Sequence, residues 1–250
     1  MIEMGKLEHR IALITGCNRG LGRAIMDAFV REGASVVACT RKQTDGQEAY
    51  YAECEEKYGV KIYPLYFDLA DEDAIKAAMK QLFAMKLTID ILVNNAGILN
   101  TDGLLRLSME KAHAVMQVNY FAPILITQYV VKLMLRSKHA SIINMASIAA
   151  LLPTVGNTVY GASKAALIIM TTCWAKELAS AKIRVNAIAP GYMDTEMTES
   201  VDKTVMDSLV ADTALKRLGK ADEVAKTAVF LARDDSSYID GERIKVTGGV

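Results

Sequence analysis

The sequence predicts a three-layer α/β fold, a doubly wound (Rossmann) seven-stranded parallel sheet with helices on both faces. Three observations carry that expectation. Seven short, continuous apolar runs recur along the 250 residues, and strands buried on both faces read as such runs rather than as alternation. Helical patterns lie between the runs, which is the order that builds a parallel sheet. A glycine-rich turn, Thr15-Gly16-Cys17-Asn18-Arg19-Gly20-Leu21-Gly22, joins the first run to the first helix. Strand, glycine turn and helix is the arrangement in which backbone N–H groups and a helix N-terminus hold a pair of phosphates.

The first run, Ile11–Ile14, feeds the glycine turn and a helix near 20–32. Ser35–Cys39 and Lys61–Phe67 follow, each leading into a helix, near 45–58 and 71–85. Ile89–Val93 ends in Asn94-Asn95-Ala96-Gly97, where small residues let a ligand approach the carboxyl ends of the strands. A helix is expected near 108–136. Its segment Val118–Leu135 is almost long and apolar enough to span a bilayer. Asn119, Pro123, Gln128 and Lys132 lie within it, and such amide and charged groups are costly at a bilayer centre. The segment is therefore expected to be buried by the sheet on one side and by another subunit on the other. Ser141–Met145, a helix near 158–180, Ile183–Ile188, a helix near 221–233 and Arg243–Val246 complete the series. Pro190 ends the sixth strand. After it Gly191–Lys216, rich in Met, Thr and Asp, has no strong periodicity and reads as a substrate lid over 191–216. Nothing divides residues 1–250, so one domain is expected.

Composition excludes several classes of function. Apolar residues make up 52% and charged residues 23%, which suits a soluble folded chain and not a disordered one. Lys+Arg and Asp+Glu are both 29, so no global field recruits nucleic acid or an anionic membrane. The N-terminus has no signal-peptide pattern, and Cys17, Cys39, Cys54 and Cys173 are scattered without close pairs, which suits a cytoplasmic protein. His9, His113 and His139 do not cluster, so no metal site is expected.

The chemistry is expected around Ser147, Tyr160 and Lys164. If Tyr160 begins a helix, Lys164 lies one turn later on the same face. A free phenol ionises near ~10, too high for acid–base work at neutral pH. A neighbouring ammonium is expected to favour the phenolate and lower that value. Ser147, at a neighbouring strand end, is placed to hydrogen-bond a substrate oxygen. Such a set protonates an alkoxide as it forms, which is what carbonyl reduction by hydride requires.

Taken together, the glycine motif, Asn94-Asn95-Ala96-Gly97, Val118-Asn119, Ser147, Tyr160-x-x-x-Lys164 and Pro190-Gly191 resemble the short-chain dehydrogenase/reductase family, from about Leu7 to the C-terminus. The tail Arg217-Leu218-Gly219, Glu223-Val224-Ala225, Phe230-Leu231-Ala232 and Gly241 is most similar to the 3-oxoacyl-[acyl-carrier-protein] reductase branch. The resemblance implies Asn119, Ser147, Tyr160 and Lys164 as the catalytic set, with the Asn119 backbone supporting a water chain to the lysine. It implies a dinucleotide held by Gly16, Asn18, Arg19, Gly20, Leu21, Gly22, Thr40, Arg41, Asp68, Leu69, Asn95, Ala96, Gly97, Tyr160, Lys164, Pro190, Gly191, Met193 and Thr195. Asp68 would meet the adenine amino group and Thr195 the nicotinamide carboxamide.

The end of the second strand selects the cofactor. An acid there would bind the ribose 2′-hydroxyl of NAD. The chain has Cys39-Thr40-Arg41-Lys42 instead, and Arg19 sits inside the glycine motif. Two guanidinium groups suit a 2′-phosphate dianion, so NADP(H) is expected. The substrate stays open between an acyl thioester, with acyl carrier protein as a partner, and a small keto-sugar, keto-acid or cyclic alcohol. Lys138 and Lys176 suit an acidic carrier, but Ala181 stands where a family arginine is expected. A non-catalytic nucleotide-binding scaffold is the competing class, and such proteins usually lose the tyrosine or the lysine. As in most relatives, a homotetramer is expected.

Overall fold

The computed structural model describes residues 5–196 and 203–250. Its main sheet has seven parallel strands: β1 (Ile11–Thr15), β2 (Ser35–Thr40), β3 (Ile62–Tyr66), β4 (Ile91–Asn94), β5 (Ser141–Met145), β6 (Arg184–Pro190) and, last in the chain, β9 (Arg243–Val246). A separate two-stranded pair is formed by β7 (Met193–Asp194) and β8 (Gly219–Lys220). The main order is β3-β2-β1-β4-β5-β6-β9. The chain winds outward from β1 in one direction and then from β4 in the other, so a crevice opens between their carboxyl ends.

The helices are α1 (Gly20–Arg31), α2 (Gln47–Tyr58), α3 (Glu72–Ala84), α4 (Met109–Met116), α5 (Ala122–Met134), α6 (Thr158–Leu178), α7 (Lys203–Asp212) and α8 (Ala221–Ala232). On one face of the sheet Ile25 and Phe29 of α1, Tyr51 of α2 and Val224 and Ala228 of α8 pack on Ile14 and Ile143. On the other, Met79 of α3, Ile126 and Val130 of α5 and Ala175 of α6 pack on Leu13, Leu92 and Ile142. Alternate residues of each strand enter opposite layers, as the pleat requires.

The elements lie where the sequence predicts them, with three differences. The helix expected as one piece over 108–136 is interrupted by a π-helical turn at Gln117–Phe121, where the Ala122 N–H bonds back to the Gln117 carbonyl, five residues away. Pro123 explains the change, because it has no N–H to return to residue 119 in the ordinary four-residue pattern. Secondly, β6 continues past the apolar run Ile183–Ile188 to Pro190, the residue expected to end it, and pairs with β9 up to Val246. Thirdly, the stretch expected as an irregular lid over 191–216 contains β7 and α7. Its residues 197–202 lie outside the described part of the chain.

Met109–Met134 taken together is long and apolar enough, by length and composition, to cross a membrane. Its residues Ala122, Ile126, Val130 and Met134 are instead buried against the sheet.

Candidate active site

The floor of the crevice is the glycine turn. Gly16 (φ +71°) and Gly20 (φ +55°) adopt the left-handed backbone that L side chains avoid. A Cβ on Gly22 would lie 2.2 Å from the Gly16 carbonyl oxygen and 2.4 Å from Asn95 Nδ2, so α1 begins flush against the turn. At Gly20 an added Cβ would meet nothing within 4 Å, which leaves the outer side of the turn open. The first turn of α1 has neither a capping side chain nor an acid, so its N–H groups and dipole are available to an anion. Closed below, open above and lined with donors, the turn fits a dinucleotide pyrophosphate.

Thr15, which the motif reading passes over, ties this turn to the strand beside it. Its Oγ1 accepts from the N–H groups of Asn95 (3.0 Å) and Ala96 (3.1 Å), while Asn95 Nδ2 donates to the Thr15 carbonyl at 2.9 Å. A hydroxyl residue closing a strand next to a glycine turn is the sequence signal for that role. Across the turn, the Thr44 hydroxyl donates to Asn18 Oδ1 at 3.1 Å, which brings the loop after β2 alongside. In that loop Thr40 is buried and its hydroxyl donates to the Lys42 carbonyl at 3.2 Å, whereas Arg41 is exposed. Arg19 is also exposed, but its guanidinium pairs with Glu196 at 2.9 Å. The two arginines expected to meet one phosphate therefore start from different surroundings.

Leu21 is half-buried against the core under the turn. Asp68 accepts from the Ala70 N–H at 2.9 Å, and the cap of α3 is Asp71, which accepts from the N–H groups of Asp73 and Ala74. The Leu69 carbonyl accepts from Gln117 Nε2 at 3.3 Å, so the π-helical turn touches this rim of the crevice.

Asn119, Ser147, Tyr160 and Lys164 come together at the ends of β4 and β5. Ser147 starts a tight turn over Ile148–Ala150, and its Oγ accepts from the Ala149 N–H at 3.1 Å. Gly161 lets the first turn of α6 settle on that turn, since a Cβ there would come 2.8 Å from the Ala149 carbonyl oxygen. Tyr160 is thereby held facing Ser147. Burial raises the phenol's pKa, and the Ser147 hydrogen bond works in the opposite direction. This corrects the expectation that Lys164 lowers it. Lys164 Nζ lies 5.8 Å from the Tyr160 ring centroid and donates to the Met145 carbonyl at 2.8 Å. Burial pulls the lysine itself down to about 8.

Asn119 is fully buried and joins three elements with its side chain. Its Oδ1 accepts from the Ile98 N–H (2.8 Å), and its Nδ2 donates to the Ile98 carbonyl (3.0 Å) and to Ser163 Oγ (3.0 Å). The Ser163 hydroxyl in turn donates to the Tyr160 carbonyl at 2.7 Å. Gly97 is small for a reason visible here, because a Cβ would lie 3.1 Å from Lys164 Nζ and 3.2 Å from Asn119 Oδ1.

The far wall follows β6. The Gly191 N–H donates to the Val246 carbonyl at 2.9 Å, and a Cβ on Gly191 would lie 2.8 Å from Thr247 Cα. Pro190 and Met193 are buried, with Met193 paired to Gly219 in the small sheet. Thr195 stands just before Glu196, the partner of Arg19. Among the described residues no three His, Cys, Asp or Glu side chains gather as metal ligands.

Residues 16–250 match a family model described as enoyl-(acyl carrier protein) reductase. The chain is 39% identical over 245 residues to the 3-oxoacyl-[acyl-carrier-protein] reductase of Thermotoga maritima, covering 98% of this chain and 99% of that protein. Among solved structures, a Serratia marcescens short-chain dehydrogenase/reductase carrying two substitutions superposes with a TM-score of 0.90 at 32% identity, covering 98% of each chain. A short-chain dehydrogenase from Burkholderia cenocepacia, solved in complex with NADP, gives 0.90 at 31% identity, again over 98% of each chain.

Proposed function

The chain belongs to the short-chain dehydrogenase/reductase family, and on that premise we propose that it is an NADPH-dependent reductase converting the ketone of a 3-oxoacyl thioester to a secondary alcohol. The observation that carries this reading is the pairing of Ser147 with a half-buried Tyr160 beside a glycine turn shaped for a dinucleotide.

Gly16, Asn18, Gly20, Leu21 and Gly22 would hold the pyrophosphate, Arg19 and Arg41 the 2′-phosphate, and Lys164 the nicotinamide ribose. Asp68, Leu69, Asn95, Ala96, Gly97, Pro190, Gly191, Met193 and Thr195 would line the rest of the dinucleotide. When bound, the cofactor would supply a hydride to the carbonyl carbon, and its neutral ring would become positive as the hydride leaves. Ser147 donates a hydrogen bond to the carbonyl oxygen and fixes its direction. Tyr160 gives its proton to that oxygen as negative charge builds there, so the atoms balance as ketone plus hydride plus proton to alcohol. A raised phenol pKa keeps the proton on Tyr160 until that charge appears, and the two nearby cations make the phenolate left behind less costly. The substrate is named from the Thermotoga maritima relative. We further propose that acyl carrier protein delivers it, that residues 191–216 close over it, and that the enzyme is a cytoplasmic homotetramer.

The test is NADPH oxidation by purified protein with an acetoacetyl thioester, set beside small keto-sugars, keto-acids and cyclic ketones. Turnover of the thioester is expected, with Tyr160→Phe losing at least ~10²-fold in rate while still binding NADPH. If that variant kept more than about a tenth of the rate, the proton would come from elsewhere.

A further inference from the structure

Below the crevice four polar side chains form one line through the core. Thr127 on α5, Asn94 on β4, Asn144 on β5 and Thr171 on α6 are 5%, 2%, 0% and 1% exposed. Asn94 Nδ2 donates to Thr127 Oγ1 at 3.2 Å and to Asn144 Oδ1 at 2.9 Å. Asn144 Nδ2 donates to Thr171 Oγ1 at 2.9 Å, and the Thr171 hydroxyl donates to the Leu167 carbonyl at 2.8 Å. Asn94 and Asn144 are direct neighbours in the β4–β5 register. Apolar side chains would fill the same space without the cost of burying amides and hydroxyls. What the polar line adds is a register in which the Asn94 and Asn144 amide donors and the Thr171 hydroxyl meet acceptors, while Asn94 Oδ1 is left buried without a partner among the described residues.

Its location makes the register matter. Thr171 follows Lys164 by seven residues, two turns of helix, so both lie on the same stripe of α6. The helix is therefore fastened to β5 at two points, by Thr171 to Asn144 and by Lys164 to the Met145 carbonyl. Those strand residues are consecutive, and Ser147 comes two residues later. A slide of α6 by even one residue's rise, about 1.5 Å, would break both fastenings and move Tyr160 away from Ser147 by the same amount.

We propose that the line Thr127–Asn94–Asn144–Thr171 sets the axial position of α6 against β5, making Asn144 and Thr171 positioning residues for Tyr160. The inference rests on Tyr160 and Ser147 being the reacting pair. Replacing Thr171 with Val keeps the shape and removes the acceptor of Asn144, while Thr171→Ser restores it.

The experiment follows Tyr160 ionisation by NMR in protein carrying labelled tyrosine, together with kcat, KM, NADPH affinity and thermal stability. Thr171→Val should shift the phenol midpoint by about half a pH unit or more and lower kcat roughly 10-fold, with NADPH affinity within about 2-fold of the parent. Thr171→Ser should return both to the parent values. A Thr171→Val protein that loses thermal stability with an unmoved midpoint and unchanged kcat would overturn the proposal and leave the line as packing alone. Should that variant not fold, Thr127→Val at the other end of the line carries the same readouts, and an unmoved midpoint there overturns it too. The titration needs no turnover. A shifted midpoint in a protein that reduces none of the ketones offered would support the positioning role and sink the functional reading instead.

Discussion

Lys164 points its ammonium at the Met145 carbonyl, 2.8 Å away, from a position where burial is the dominant influence on its charge. The folded protein holds this lysine near 8 against an ordinary 10.5. Below pH 8 both folded and unfolded chains keep the proton, and the fold carries the full cost of a buried cation. Between 8 and 10.5 the folded chain releases the proton first, so stability from this residue rises with pH and the cost is gone above that window. The depression from 10.5 to about 8 corresponds to roughly 3 kcal/mol. Lys164→Met should therefore be more stable than the parent at pH 7 and lose that advantage toward pH 10, while losing turnover. Denaturant titrations at the two pH values check this, and a variant less stable at pH 7 would contradict it.

Cofactor choice should follow Arg41. It is exposed beside the Asn18–Thr44 link, whereas Arg19 is engaged by Glu196. Arg41→Asp is expected to weaken NADPH use by at least ~10²-fold, combining loss of a charge-assisted hydrogen bond with new repulsion. NADH use should fall little or rise. Equal losses with both cofactors would assign Arg41 to the fold.

Gly22 and Gly59 should respond differently to alanine. At Gly22 the new Cβ would sit 2.2 Å from the Gly16 carbonyl oxygen, while at Gly59 (φ +66°), the C-cap of α2, it would meet nothing within 4 Å. Gly22→Ala should cost about 1–3 kcal/mol of stability and at least ~10-fold in NADPH affinity, by overpacking the turn. Gly59→Ala should cost about 1 kcal/mol through its left-handed backbone alone, with affinity unchanged. Thermal melts and fluorescence titration with NADPH separate the two, and equal affinities would remove the turn from the cofactor site.

The outward side of α6 presents Ala162, Ile169 and Cys173 to the surface, with Ile169 66% exposed, and Phe121 and Leu135 at the two ends of α5 are 49% and 59% exposed. Apolar surface of this kind on two long helices fits a two-fold interface. Light scattering at micromolar concentration should return about four times the chain mass of 27.3 kDa. A value near 27.3 kDa would end the tetramer reading.

The inner strands were legible as apolar runs, although β5 and β6 carry Asn144, Arg184 and Asn186 and β9 alternates as Arg243-Ile244-Lys245-Val246. The order of motifs placed the glycine turn and Ser147 at strand ends and Tyr160 at a helix start. Other features depended on neighbours distant in sequence. Pro123 was visible, yet its effect on the pattern of helix hydrogen bonds around Asn119 needs the helix itself to be seen. α7 was hidden by a mixture of Met, Thr and Asp with little periodicity. The spacing of Tyr160 and Lys164 revealed that they share a helix face, but spacing cannot report burial, and burial reverses the expected direction of the tyrosine's shift.

Asn119 offers Ile98 one donor and one acceptor in a single plane, as a neighbouring strand's peptide group would. A helix side chain thus takes up both backbone hydrogen-bonding groups of Ile98, four residues after β4 has ended. Aspartate in its place would still accept from the Ile98 N–H but would face the Ile98 carbonyl with a second acceptor, so one atom's change from nitrogen to oxygen would remove the hydrogen bond to that carbonyl. The shape of the crevice on that side is thus settled by the stiffness of one amide before any ligand arrives.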